Sequence, residues 1–140
     1  MELKVKKIHA DARLPRYGHH GDAGLDLYAV AGVTLEKGIV QPVPTGIKIA
    51  VPSGYVGLVW DKSGISLGGV HRLAGVIDSG YRGEVKVILI NLGSQAFVIE
   101  KGMKIAQLLI QPVQQVVVRE SRDLDETVRG ENGFGSTGKY

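Results

Sequence analysis

Along most of the chain apolar and polar residues alternate, or apolar residues gather in short β-branched runs. A period of two puts one set of side chains on a buried face and the other in solvent, as in a strand. The pattern predicts strands at Leu3 to Ile8, Val33 to Leu35, Ile47 to Val51, Tyr55 to Trp60, Glu84 to Asn91, Phe97 to Ile99, Ile105 to Ile110 and Val113 to Arg119. Turn residues separate them at Pro52-Ser53-Gly54, Gly68-Gly69, Asn91-Leu92-Gly93 and Lys101-Gly102. Helix signals are few beside 20 glycines. Many short strands at this spacing imply an all-β sandwich, barrel or jelly roll, and no internal repeat interrupts them.

From Glu120 to Tyr140 the pattern changes to charged residues and then to Gly, Ser and Thr, with Leu124, Val128 and Phe134 as apolar exceptions. Such a segment cannot bury enough to order itself. The expected organisation is a β-rich core over residues 1–119 and a mobile arm over residues 120–140 that a partner or ligand must hold.

Composition narrows the function classes. A chain of 140 residues is one domain with a real core, and no apolar run approaches the roughly 20 residues of a membrane-spanning helix. The N-terminus alternates and reads as a strand, not a secretory signal, so cytoplasmic residence is expected. With Cys 0, disulfides and thiolate metal sites are excluded. The net charge of +3 and pI of about 9.2 raise the question of nucleic acid. Lys4, Lys6, Lys7, Lys37, Lys48, Lys86 and Lys104 are spread among carboxylates, however, and 6% aromatic residues are too few for a base-stacking platform. A small anionic substrate fits the excess charge, with neither nucleic acid nor membrane as partner.

Five segments carry candidate chemistry. Gly133-Phe134-Gly135-Ser136-Thr137-Gly138 formally matches a dinucleotide fingerprint and, with Lys139, most of a Walker A loop. Both need a preceding strand and a following helix, which this context does not offer. The local chemistry survives that objection: glycines let backbone N–H groups approach a polyphosphate, Arg129, Ser136 and Thr137 add donors, and a lone Phe134 suits stacking on a flat ring. In Gly75-Val76-Ile77-Asp78-Ser79-Gly80-Tyr81-Arg82-Gly83-Glu84, a carboxylate, a phenol and a guanidinium crowd into one turn. Alone, Asp78 reads as an Asx-turn residue and Arg82 as its surface partner. Ala23-Gly24-Leu25-Asp26-Leu27 adds a second carboxylate, Asp61-Lys62-Ser63-Gly64 a cation and a hydroxyl beside glycine, and Gly102-Met103-Lys104-Ile105-Ala106-Gln107 an amide on an apolar strand.

Together, in this order from Ala23 to Gly138, these segments resemble the five motifs of the trimeric dUTPase family. The resemblance implies a distorted jelly-roll or barrel-like fold, a homotrimer with sites shared between subunits, Mg²⁺ as cofactor, and hydrolysis of dUTP to dUMP and pyrophosphate. That activity limits uracil incorporation into DNA and supplies dUMP for thymidylate. By the same resemblance Asp78 activates water and Tyr81 packs on the deoxyribose, excluding a 2′-hydroxyl. The hairpin from Leu73 through Gly75, Val76 and Ile77 offers its backbone to uracil. Lys62, Ser63, Gly64 and Gln107 match phosphate-binding positions, and Asp26 meets the metal through water. Arg129, Phe134, Gly135, Ser136 and Thr137 match the closing arm, with Phe134 above uracil, while Arg82 supports the site rather than touching phosphate.

Two positions depart from the family pattern. Lys62 stands where the second motif commonly has Arg, replacing a planar fork by a point charge. Arg72 stands where several relatives carry Asn, so base recognition is assigned to backbone groups. The related dCTP deaminases share the fold but are generally longer and lack the GFGSTG arm. A regulator without turnover would need neither Asp78 nor a complete arm. His19, His20 and Asp22 read as a solvated loop, because adjacent side chains diverge in extended chain. Trp60, Met103 and Val116 to Val118 read as core or subunit interface.

Overall fold

The computed structural model describes residues 1–134 and 136–137. Among them the strands are β1 (Lys4–Lys7), β2 (Leu25–Tyr28), β3 (Val33–Leu35), β4 (Val40–Ala50), β5 (Tyr55–Trp60), β6 (Val70–Leu73), β7 (Val76–Ile77), β8 (Glu84–Asn91), β9 (Phe97–Ile99) and β10 (Lys104–Pro112). A single turn of helix, α1 (Ser63–Ser66), lies between β5 and β6. One sheet has the order β1-β4-β8-β6 and a second β2-β10-β5-β7, while β3 and β9 pair by themselves. The ladders are antiparallel and the sheets do not close on themselves. The expected all-β class holds, as a distorted jelly roll rather than a closed barrel.

Period-two burial explains the layering. On β8, Val85, Val87 and Leu89 are buried while Lys86 between them is exposed. They join Leu27, Val43, Ile49, Ile105 and Leu108, each at most 2% exposed, in one continuous core. Burying a side chain of this size stabilises the fold by about 1.5–3 kcal/mol.

The predicted strands at Val33–Leu35, Tyr55–Trp60, Glu84–Asn91 and Phe97–Ile99 coincide with β3, β5, β8 and β9. Ile47 to Val51 is only the end of β4, whose earlier half contains Pro42 and Pro44. Those prolines pair with β8 on one side, whereas β1 reaches only Ile47 to Ala50 on the other. Opposite β8 no described strand pairs with that stretch, only Val30 N–H donating to Pro44 O at 3.0 Å, so the N–H groups the prolines lack break no ladder there. Strand β6 was not expected, and β2 only as a strand start around Asp26. The pattern of β2 is nearly continuous burial, and β6 carries His71 and Arg72.

Val113 to Arg119 is not a strand in this chain. Among the described residues after Pro112, the last backbone hydrogen bond to the core is Val113 N–H donating to Gly54 O at 2.9 Å. Val116, Val117 and Val118 are 78–88% exposed, so they are not core. Their β-branched propensity is real, but a strand needs a neighbouring ladder and the chain supplies none here. Trp60 is likewise half-exposed, whereas Met103 packs against the core.

Candidate active site

Between β6 and β7 the chain reverses through Ala74 and Gly75, at φ 57° and 113°. A Cβ on Gly75 would lie 2.8 Å from Val59 O, and Gly75 O accepts the Val59 N–H at 2.8 Å. Glycine is required for that approach. Strand β7 delivers Asp78 to a turn closed by Tyr81 N–H donating to Asp78 O at 3.0 Å. The Tyr81 hydroxyl donates to Glu84 O at 3.0 Å, fixing the ring. Arg82 donates to Ser79 O and Tyr81 O, each at 2.7 Å, and so secures its own turn.

Asp78 and Tyr81 line a cleft of about 430 Å³ together with Leu73, Gly75, Val76 and Ile77, whereas Arg82 does not line it. Asp78 is exposed, and among the described residues its carboxylate has no hydrogen-bonding or ionic partner. Both oxygens are available to a water molecule.

A second cleft, of about 250 Å³, gathers Asp26, Lys62, Lys104, Gln107, Gly24 and the His19–Asp22 loop. Strand β10 lies between β2 and β5, with Gln107 opposite Asp26 on one side and Trp60 on the other. A Cβ on Gly24 would fall 2.5 Å from Gln107 Oε1, so the glycine of the first motif makes room for the amide of the fourth. Gln107 Nε2 donates to Asp61 O at 2.8 Å. Just beyond, Ser63 and Gly64 are exposed in the first turn of α1, where N–H groups precede the intrahelical bonds.

Asp26 is 4% exposed and holds two ammonium groups, Lys62 Nζ at 2.8 Å and Lys104 Nζ at 2.6 Å. Burial pushes its carboxyl up, but hydrogen bonds and charge from Lys104 and Lys62 together outweigh burial and hold it below the usual aspartate value. The hydrogen bond and charge of Asp26 raise the Lys104 ammonium. Sequence spacing did not reveal Lys104 in this role, since it looks like one of many scattered lysines. The register shift between Lys104 and Ala106 brings it there.

A depressed carboxyl stabilises the fold above its unfolded pKa, and that stabilisation is lost as pH falls through the folded value. Asp26→Asn is therefore expected to destabilise the fold near neutrality, by removing the buried charge that the half-buried Lys62 and the exposed Lys104 share. In urea titrations the gap from wild type should shrink well below pH 3.8, the ordinary aspartate value. A gap that stays constant with acidification would contradict this assignment.

The family model for dUTPase matches residues 10–138. The chain belongs to the dUTPase family. The deoxyuridine 5′-triphosphate nucleotidohydrolase of Clostridium kluyveri is 51% identical over 141 residues, covering 99% of both chains. That of Clostridium novyi is 47% identical at the same coverage. The Staphylococcus bacteriophage 80alpha dUTPase solved with dUPNHPP superposes with a TM-score of 0.92 at 30% identity, over 98% of both chains. A mutant dUTPase of the S. aureus phage phi11, solved to show coordination of a structural Mg(II) ion, gives 0.82 at 26% identity, over 88% of this chain and 98% of that one.

Within this dUTPase chain the two clefts share no lining residue, and no described residue of the arm lines either. Among the described residues, every hydrogen bond made by residues 121–137 stays within that segment. Arg129 Nε donates to Asn132 O at 3.0 Å, and Ser136 N–H to Gly133 O at 3.1 Å. Phe134, at φ 48°, exposes its ring fully, and Ser136 and Thr137 are also exposed. Gly135 lies outside the described residues. The His19–Asp22 loop closes on itself, His19 N–H donating to Asp22 Oδ2 at 2.8 Å.

Proposed function

We propose that this protein hydrolyses dUTP to dUMP and pyrophosphate by water attack on the α-phosphorus, at sites assembled from more than one chain of a homotrimer. The observation that carries the reading is Asp78, an exposed carboxylate with no partner among the described residues, which lines the hairpin cleft together with a fixed tyrosine ring. Asp78 accepts a proton from water as it attacks. Tyr81 packs on the sugar and leaves no room for a 2′-hydroxyl, while Leu73 to Ile77 offer backbone groups to uracil. Lys62, Ser63, Gly64 and Gln107 bind phosphate. The arm, residues 120–140, closes over the nucleotide with Phe134 on the base and Arg129, Gly135, Ser136 and Thr137 on the phosphates. The exposed valines at 116–118 support a strand completed by a neighbouring chain.

The donor set fits Mg²⁺ carried by the substrate rather than caged by protein. Among the described residues no three His, Cys, Asp or Glu side chains come together as a metal site, and lysines engage both oxygens of Asp26. Mg²⁺ typically keeps several waters and binds substrate phosphates, so Asp26 would meet it through water, and when bound it neutralises developing phosphate charge. The proposed setting is the cytoplasm, where hydrolysis would limit uracil in DNA and supply dUMP. No described helix is long and apolar enough to cross a membrane.

Reaction in oxygen-18 water tests the chemistry. With Mg²⁺ and dUTP the label should enter dUMP and not pyrophosphate. Labelled pyrophosphate, release of inorganic phosphate, or ammonia from dCTP instead would overturn the reading.

A further inference from the structure

We infer that Arg72 is a positioning residue for base recognition, bracing the Leu73 to Ile77 hairpin against Trp60 and Asp61. The inference rests on reading that hairpin as the segment that meets the base.

Ala74 holds a left-handed conformation, φ 57°, which L side chains adopt only at a cost, and it is exposed, so burial does not hold it there. Arg72 Nη1 donates to Ala74 O and ties the reversal to its own strand. The same guanidinium lies over the Trp60 ring, 4.8 Å from its centroid, which gives the half-exposed indole at the end of β5 a purpose that core packing does not. The main chain is fixed as well, Arg72 N–H donating to Asp61 Oδ1 at 2.7 Å, with His71 Nδ1 2.8 Å from Oδ2. Asp61 O accepts from Gln107 Nε2 and Lys62 follows it in sequence. One residue therefore connects the base hairpin to the phosphate cleft. Arg72 Nε is buried without a partner among the described residues. A surface arginine free to turn to water would avoid that cost.

Only guanidinium can stack by its face while donating in its plane; a lysine offers the charge without the fork. Loosening the hairpin should weaken what the base contributes to binding and leave the water-activating turn in place. Losing one charged hydrogen bond and one cation–π contact, Arg72→Ala should raise KM for dUTP about tenfold, with kcat falling less. The preference for dUTP over dCTP should fall by a similar factor. Arg72→Lys should not restore it, whereas Trp60→Phe should retain more of it than Trp60→Ala.

The experiment measures kcat and KM with dUTP and dCTP for wild type and these four variants, alongside thermal unfolding. General destabilisation would lower kcat for both bases equally and leave KM and the preference unchanged. An unchanged KM and preference in Arg72→Ala, or full restoration by Arg72→Lys, overturns the role of Arg72. A wild-type enzyme that does not distinguish the two bases overturns the reading of the hairpin itself.

Discussion

Replacing Asp78 by Asn is expected to lower dUTP turnover by about a hundred- to ten-thousandfold, the usual contribution of a positioned general base. The amide matches the carboxylate in shape but cannot take a proton. The turn survives, because its closing bond runs from Tyr81 N–H to the backbone carbonyl of residue 78. Asp78 is exposed and has no side-chain partner among the described residues, so stability should change little. Nucleotide affinity, measured calorimetrically with Mg²⁺, should stay close to wild type while single-turnover hydrolysis collapses. Turnover within a few-fold of wild type would remove Asp78 from the reaction.

Truncation after Glu126 is the second large effect. It deletes Arg129, Phe134, Ser136 and Thr137 and leaves both clefts untouched. Among the described residues the arm makes no hydrogen bond to the core, so melting temperature should hardly move. Activity should fall about a hundredfold or more if, as proposed, the arm closes over the nucleotide, excluding water and supplying donors to the phosphates. A stable truncated protein that keeps most of its activity would show that the arm has no part in catalysis.

Much of the fold was legible because strands with one buried face announce themselves. Glu84 to Asn91 alternates and is β8 to the residue. Legibility failed where the physics is not local. Leu25 to Tyr28 is only four residues long, and its polar Asp26 is buried like its apolar neighbours, while Val113 to Arg119 has strand-forming residues without a pairing neighbour among the described residues. The same division runs through the site. Asp78 and Tyr81 belong to one contiguous turn and can be found as a motif. Lys104 reaches Asp26 only through a register shift in a ladder between distant strands. Arg72 was noticed as a departure, but its stacking on Trp60 depends on how β5 and β6 are brought together.

The central claim is that no single chain completes a site. The two variants above test it together. Each alone lacks one half of the proposed site, Asp78→Asn the proposed water activator and the truncation the arm. Unfolded, mixed in equal amounts and refolded, with mass measurement showing that mixed trimers form, they should recover activity if Asp78 of one chain works under the arm of another. Random cyclic assembly places a competent pair at about one site in four, so roughly a quarter of wild-type activity should return. If the arm serves its own chain, no mixture contains a complete site, and activity confined to the summed background in proven mixed trimers would contradict the shared site.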